Sequence, residues 1–220
     1  EWPSWGFEYN DYAAARAFQN EVREVVTHLR NHPSIIAWTP FNETWDLLNK
    51  RNHYLNHTDA YRLCKQLDPT RPVNDSSGSI HHITDLYTVH TYEQDGNELA
   101  KMVAPGPAPH CHRADVSVPL EGQPYIVDEF GGIKWDGKSA EQDEDRRTAW
   151  GYGEAAVTEA AFFDRLDCQI NALNESSLVA GWCYTQLTDV EQEQNGVYFY
   201  DRSNKFRVTK WHRHFSKKPE

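Results

Sequence analysis

The chain has 220 residues, a quarter of them charged, and a formal net charge of −11 at pH 7. Such acidity argues against nucleic acid as a partner, because a polyanion would be repelled over most of the surface. The length suits one domain with a sizeable core and is short for a complete (β/α)8 barrel.

Eight Trp and eleven Tyr leave neutral ligands open, since exposed aromatic faces suit sugar rings. No apolar run is long enough to span a bilayer and no signal-like apolar segment is present, so no membrane partner is expected. Cys64, Cys111, Cys168 and Cys183 are scattered, and the last two lie in or near apolar stretches. They read as buried thiols rather than a disulfide frame. A reducing, cytoplasmic setting is therefore expected. A secreted or periplasmic one stays open, since the chain begins at Glu1 rather than Met.

An aromatic loop at 1–10 leads to Asn10 or Asp11, either of which would cap a first helix. Phe18, Val22, Val25, Val26 and Leu29 give that helix one apolar face, and Asn31-His32-Pro33 breaks it. A buried strand is expected through Ile35-Ile36-Ala37-Trp38-Thr39-Pro40-Phe41, ending in Asn42-Glu43. After a loop with Trp45, a helix capped near Thr58 would bury Ala60, Leu63, Cys64 and Leu67. A short strand at Val73-Asn74 and a loop at Asp75-Ser76-Ser77-Gly78 follow. The next strand, 86–90, ends in His90, Thr91 and Tyr92. A short helix at 98–103 and a Pro-rich loop precede Tyr125-Ile126-Val127-Asp128-Glu129-Phe130-Gly131-Gly132. Residues 133–148, with Glu141, Asp143, Glu144 and Asp145, read as a solvated lid or rim. A helix from about 154 to 173 buries Phe163, Leu166, Ile170 and Leu173, and a last strand runs over 178–184. Val208, Trp211 and Phe215 mark a final helix. Alternation of strand and helix implies parallel strands joined by right-handed crossovers, in an open sheet or most of a barrel.

Two dry strands each deliver a carboxylate at the carboxyl end, Glu43 and Glu129, where parallel α/β proteins place their chemistry. Glycoside hydrolysis needs such a pair, one group protonating the leaving oxygen and the other attacking C1 or activating water. Asn42 is placed to hydrogen-bond a sugar 2-hydroxyl. The competing reading makes both Glu rim residues in surface ion pairs. Asp128 faces away from Glu129 by strand alternation and reads as structural.

The segment Asn31-His32-Pro33-Ser34-Ile35-Ile36-Ala37-Trp38 through Phe41-Asn42-Glu43 closely resembles the acid/base segment of glycoside hydrolase family 2, the β-galactosidase and β-glucuronidase family. Asp128-Glu129-Phe130-Gly131-Gly132 resembles its nucleophile segment. Residues 181–196, from Gly181-Trp182 to Asn195-Gly196, are similar to its eighth barrel strand and following loop. The resemblance implies a (β/α)8 TIM-type barrel, of which residues 1–220 form a partial catalytic domain holding the last five or so β/α units. It implies a retaining, β-galactosidase-like glycosidase with Glu43 as general acid/base and Glu129 as nucleophile. His90 and Tyr92 fall at the end of the sixth strand, with Tyr92 placed to bond the nucleophile. Trp182 matches the family's sugar platform, and Trp45 and Trp135 would shape the aglycone side. In this likeness the first three strands and the preceding sandwich domains lie outside these residues, so self-association or pairing with the missing half is expected. Glucuronidases of the family carry an Asn-x-Lys signature where this chain reads Glu193-Gln194-Asn195-Gly196, which disfavours a uronate.

No cofactor and no metal is expected. His81-His82, His110-Cys111-His112 and His212-Arg213-His214 lack a carboxylate at fitting distance for zinc. No Gly-x-Ser-x-Gly elbow and no phosphate-cradling Gly loop is present. Two rivals remain: a catalytically silent, self-associating fragment that at most binds sugar, and an open-sheet protein whose two Glu are structural.

Overall fold

Asp11, not Asn10, starts the first helix: its side chain accepts hydrogen bonds from the backbone N–H groups of Ala13 and Ala14. The helix, α1 (Tyr12–Leu29), buries Val22 and Val26 on the face anticipated from their spacing. The computed structural model describes residues 1–4, 6–45, 49–106, 109–135 and 149–216. The acidic stretch with Glu141, Asp143, Glu144 and Asp145, read as a lid or rim, lies outside the described residues. The chain divides into two compact units, Glu1–His90 with Cys111–Ile126, and Thr91–His110 with Val127–Glu220.

In the first unit α1 packs on α2 (Lys50–Leu67) around Trp2, Val22, Val26, Trp38, Leu63, Cys64 and Val73. The second helix starts eight residues before the cap predicted from sequence. Asn49 accepts from the Asn52 N–H and caps it, whereas Thr58 is interior and returns its hydroxyl to the carbonyls of Tyr54 and Leu55. A Thr can bond back along its own helix, which made an interior hydroxyl look like a boundary.

The expected strand over 35–43 is reduced to isolated parallel bridges, Trp38 to Val73 and Asn42 to Ser77. Pro40 explains the gap, because it has no N–H to continue the ladder between them. Four backbone bonds still pin the segment: Trp38 N–H to Pro72 O, Asn74 N–H to Trp38 O, Ser77 N–H to Phe41 O and Glu43 N–H to Ser77 O, all between 2.8 and 3.1 Å. Strand β1 (Tyr87–Thr91) begins in this unit, where Tyr87 N–H bonds Pro124 O.

In the second unit, helix α3 (Gly96–Met102) lies against α4 (Glu159–Glu175), and β2 (Tyr125–Gly131) is the sheet neighbour of β5 (Val179–Thr185). The close helix contact needs Gly96, where a Cβ would stand 2.8 Å from the Cys168 Cβ. Strands β3 (Ile133–Trp135) and β4 (Tyr152–Ala156) form a parallel pair. The helix expected from 154 therefore begins at Glu159, with Thr158 as its cap, because residues 152–156 are drawn into that pair. Phe163, Leu166, Ile170 and Leu173 are buried as anticipated, and α5 (Val208–Phe215) closes the unit through Trp211. No disulfide joins any of the four cysteines, but Cys168 and Cys183 are exposed rather than buried. Apolar neighbours in sequence misled there, since Cys168 keeps an exposed thiol beside Gly96 of α3 and Cys183 lies on the opposite side of its strand from Trp182. Among the described residues no helix is long and apolar enough to cross a membrane.

Candidate active site

Glu43 follows directly on the Asn42 to Ser77 bridge, so its backbone is held just where the strand-like segment ends. Its φ is +47°, the left-handed region, which costs a non-glycine residue roughly 1–3 kcal/mol and persists only where the surroundings over-determine it. What over-determines it is visible. The N–H of Glu43 is bonded to Ser77 O at 3.0 Å, and its Oε1 lies 2.6 Å from His90 Nδ1. His90 is buried, and its other ring nitrogen bonds Ser77 Oγ at 2.9 Å. The ring stands directly over Gly78, where a Cβ would fall 1.9 Å from His90 Cδ2; φ at Gly78 is +63°. The carbonyl of His90 accepts from His112 Nε2 at 2.8 Å, and the Trp45 indole meets the His112 ring edge-on at 4.9 Å. Thr44 is locked behind Glu43 by a hydroxyl triangle with Ser76 and Ser79. Asn42 keeps its Oδ1 buried without a hydrogen-bond partner among the described residues.

Glu129 belongs to the second unit, where β2 carries it and the Tyr92 hydroxyl donates to its Oε2. Burial, then the adjacent Glu129 charge and this hydrogen bond, push the Tyr92 phenol far above its ordinary range, so it stays a donor. Tyr92 is held flat against Tyr152, ring centroids 3.6 Å apart. Gly132, at φ +61°, permits that stack: a Cβ there would lie 2.3 Å from Tyr152 and 2.7 Å from Tyr92. Gln94 ties the backbone down by donating to the carbonyls of Tyr92 and Gly131.

The two remaining tryptophans are placed otherwise. Trp182 sets its ring edge-on against Phe130, and its indole N–H donates to Asn174 of α4 at 2.9 Å. Phe130 follows Glu129 directly, so strand alternation turns it to the opposite face. Trp135 packs on Phe162 and Phe206, in the aromatic core of the unit. Sequence reasoning named His90 and Tyr92 but missed their supports, Ser77, Gly78, Gln94 and Tyr152. The only trace of the first two was a loop signal, Asp75-Ser76-Ser77-Gly78.

The family described as glycosyl hydrolases family 2, TIM barrel domain, matches residues 3–214. The chain belongs to glycoside hydrolase family 2. Its family 2 relatives include a β-galactosidase of Enterobacter cloacae, 29% identical over 165 residues that cover 62% of this chain and 15% of that protein. Over a shorter stretch of 62 residues, β-galactosidase 2 of the same organism is 42% identical. Among solved structures, a β-glucuronidase from an uncultured Clostridium sp. superposes with a TM-score of 0.66 at 14% identity, over 93% of this chain and 37% of that one. A family 2 β-galacturonidase from Eisenbergiella tayi, bound to galacturonate, gives 0.65 at 16% identity, over 94% and 38%. These likenesses show the fold, an α/β chain of the TIM-barrel class. The family 2 chain spans about a seventh of the first β-galactosidase it matches and a little over a third of these two structures.

Proposed function

We propose that residues 1–220 carry the two catalytic carboxylates of a retaining β-glycosidase of β-galactosidase-like specificity, acting on a carbohydrate substrate by double displacement. Glu129 attacks the anomeric carbon while Glu43 gives its proton to the aglycone oxygen. The C1–O bond to the aglycone breaks and a glycosyl ester to Glu129 forms. A water, deprotonated by the same Glu43, then attacks C1 and returns Glu129 as a carboxylate.

The observation that carries this reading is that each acid has its own dedicated donor, His90 for Glu43 and Tyr92 for Glu129, from one short stretch of chain. A rim glutamate in a surface ion pair would have neither. His90, with its ring nitrogens engaged by Glu43 and Ser77, serves as a positioning residue rather than a sugar ligand. Asn42 supplies the acceptor for a sugar 2-hydroxyl, and its unpartnered buried Oδ1 favours that role. Trp45, 38% exposed, is the aromatic surface assigned to the aglycone. Trp182 and Trp135 are left out of the sugar-contacting set, because Asn174 and the Phe206 cluster already engage them. The β-galactosidase relatives and the absence of a lysine in the stretch 191–196 favour a galactoside over a uronate. Pairing with further barrel strands, from another polypeptide or from the same one, belongs to the proposal.

The test is a 2-deoxy-2-fluoro-β-galactoside with a dinitrophenyl leaving group, which traps the glycosyl ester. Peptide mapping should place the label on Glu129 and on no other carboxylate. A label elsewhere, or hydrolysis of an aryl galactoside with inversion, would sink the assignment.

A further inference from the structure

Three histidines that the carboxylate chemistry does not use meet in the first unit. His53 and His57 stand four residues apart on α2, a spacing that places both on one helix face. His82 reaches them from the loop after Ile80, and one ring nitrogen from each of the three lies within 4.8 Å of the others. His53 and His57 are fully buried, stacked at 4.1 Å, and the second lies flat on Phe41 at 4.2 Å.

The hydrogen bonds decide which nitrogens are available. The Thr44 carbonyl can only accept, so His53 Nε2, 3.1 Å away, carries the proton and Nδ1 of the neutral ring bears the lone pair. That Nδ1 is 2.8 Å from His82 Nε2. His57 Nε2 is paired with the Tyr9 hydroxyl at 3.4 Å, while its Nδ1 is buried with no hydrogen-bond partner among the described residues. A buried imidazole nitrogen left bare costs free energy unless something else occupies it. Metal-bound histidines show this arrangement, in which the far ring nitrogen is held by a carbonyl or hydroxyl and the near one is presented.

We propose that His53, His57 and His82 form a binding site for a zinc-type divalent transition-metal ion, with water as a fourth ligand. Imidazole nitrogens suit Zn2+ and its borderline neighbours, and three of them with an open fourth position is an established zinc geometry. With bonds of about 2.0–2.1 Å, tetrahedral ligand nitrogens stand roughly 3.3 Å apart. Reaching that spacing takes a parting of His53 from His82, now 2.8 Å apart, and a closing of the wider gaps in the cluster, none of which exceeds 4.8 Å. On binding through Nε2 the His82 ring changes tautomer: its Nε2 proton passes to water and water returns one to Nδ1, so the ring stays neutral and no net proton is released. An ion there would join α2 to the 81–82 loop and fix the Thr44 carbonyl immediately after Glu43.

The test takes the full chain, stripped with chelator and dialysed against Zn2+, with metal content measured by mass spectrometry and Co2+ as a spectroscopic probe. One equivalent of zinc should be retained, Co2+ should give the intense visible absorption of a tetrahedral site, and zinc should raise the melting temperature by about 4 °C or more. His82→Gln, at a half-exposed position, should weaken binding at least tenfold while leaving the circular dichroism unchanged. His57→Phe, which keeps a ring on Phe41, should abolish it. His28→Gln, on the exposed face of α1, should change nothing. Failure of the unaltered chain to hold stoichiometric zinc overturns the proposal. So does equal retention by folded His82→Gln, or equal loss in His28→Gln, which marks adventitious surface uptake.

Discussion

His90 Nδ1 donates to Glu43 Oε1 across 2.6 Å, and the same ring is anchored at its far side by Ser77 Oγ at 2.9 Å. Ser77 also accepts the Glu43 N–H through its carbonyl, so one residue holds both the glutamate backbone and the histidine that orients its carboxyl. This closed loop is what keeps Glu43 in a left-handed conformation.

Replacing His90 should therefore act through Glu43. His90→Gln is expected to lower kcat on aryl β-galactosides with poor leaving groups by about 100-fold, within the range of general acid catalysis. Substrates with dinitrophenolate leaving groups, which need no proton, should lose far less. Equal loss on both classes, measured by steady-state kinetics, would contradict a positioning role.

The Tyr92 hydroxyl touches Glu129 directly. Tyr92→Phe keeps the stack on Tyr152 and deletes one charge-assisted hydrogen bond, of the order of 1.5–3 kcal/mol. We expect kcat/KM to fall roughly 10- to 100-fold with the melting temperature little changed. Because the phenol is pushed up, the wild-type activity should show no alkaline limb attributable to Tyr92 at or below its usual titration range near pH 10.

Gly78 has both a positive φ and a ring where a Cβ would go. Gly78→Ala should cost at least about 1 kcal/mol from the backbone alone, with more from the collision. The displaced His90 would release Glu43, so activity should drop together with stability in urea unfolding. An alanine variant that matches the wild type in both would show the crowding is readily relieved.

Asp68 supplies a pH dependence. Burial works against its ionisation, but Thr70, the Trp38 indole and Arg71 donate into the carboxyl and hold it well below the usual carboxylate range. The unfolded chain thus takes up a proton before the folded one as pH falls. The contribution is complete above about pH 4, the unfolded value, and is lost as pH drops towards the depressed folded one. Asp68→Asn should lose about 2 kcal/mol at neutral pH, one hydrogen bond to a charged group. Its melting temperature should then vary less than that of the wild type between pH 4 and 2.

Helical faces were open to reading because a 3.6-residue period survives any tertiary context. Val22 and Val26, and Leu166, Ile170 and Leu173, are buried where their spacing put them. Boundaries were less legible. Thr58 has a capping side chain but spends it on its own helix, and residues 152–156 were claimed by a neighbouring strand. The burial of Cys168 and Cys183 was misjudged because sequence shows apolar neighbours, not the side of an element that a thiol takes.

The sequence by itself determined the family, since the short motifs around Glu43 and Glu129 stand in the order that family requires, and it singled out those two residues as the acids proposed above. Only the tertiary structure decided what surrounds them. A hydrogen bond between residues 43 and 90, or an imidazole cluster built from 53, 57 and 82, joins positions whose distance along the chain carries no signal. Such contacts exist only once backbone bridges, glycine gaps and buried rings have fixed where each side chain stands.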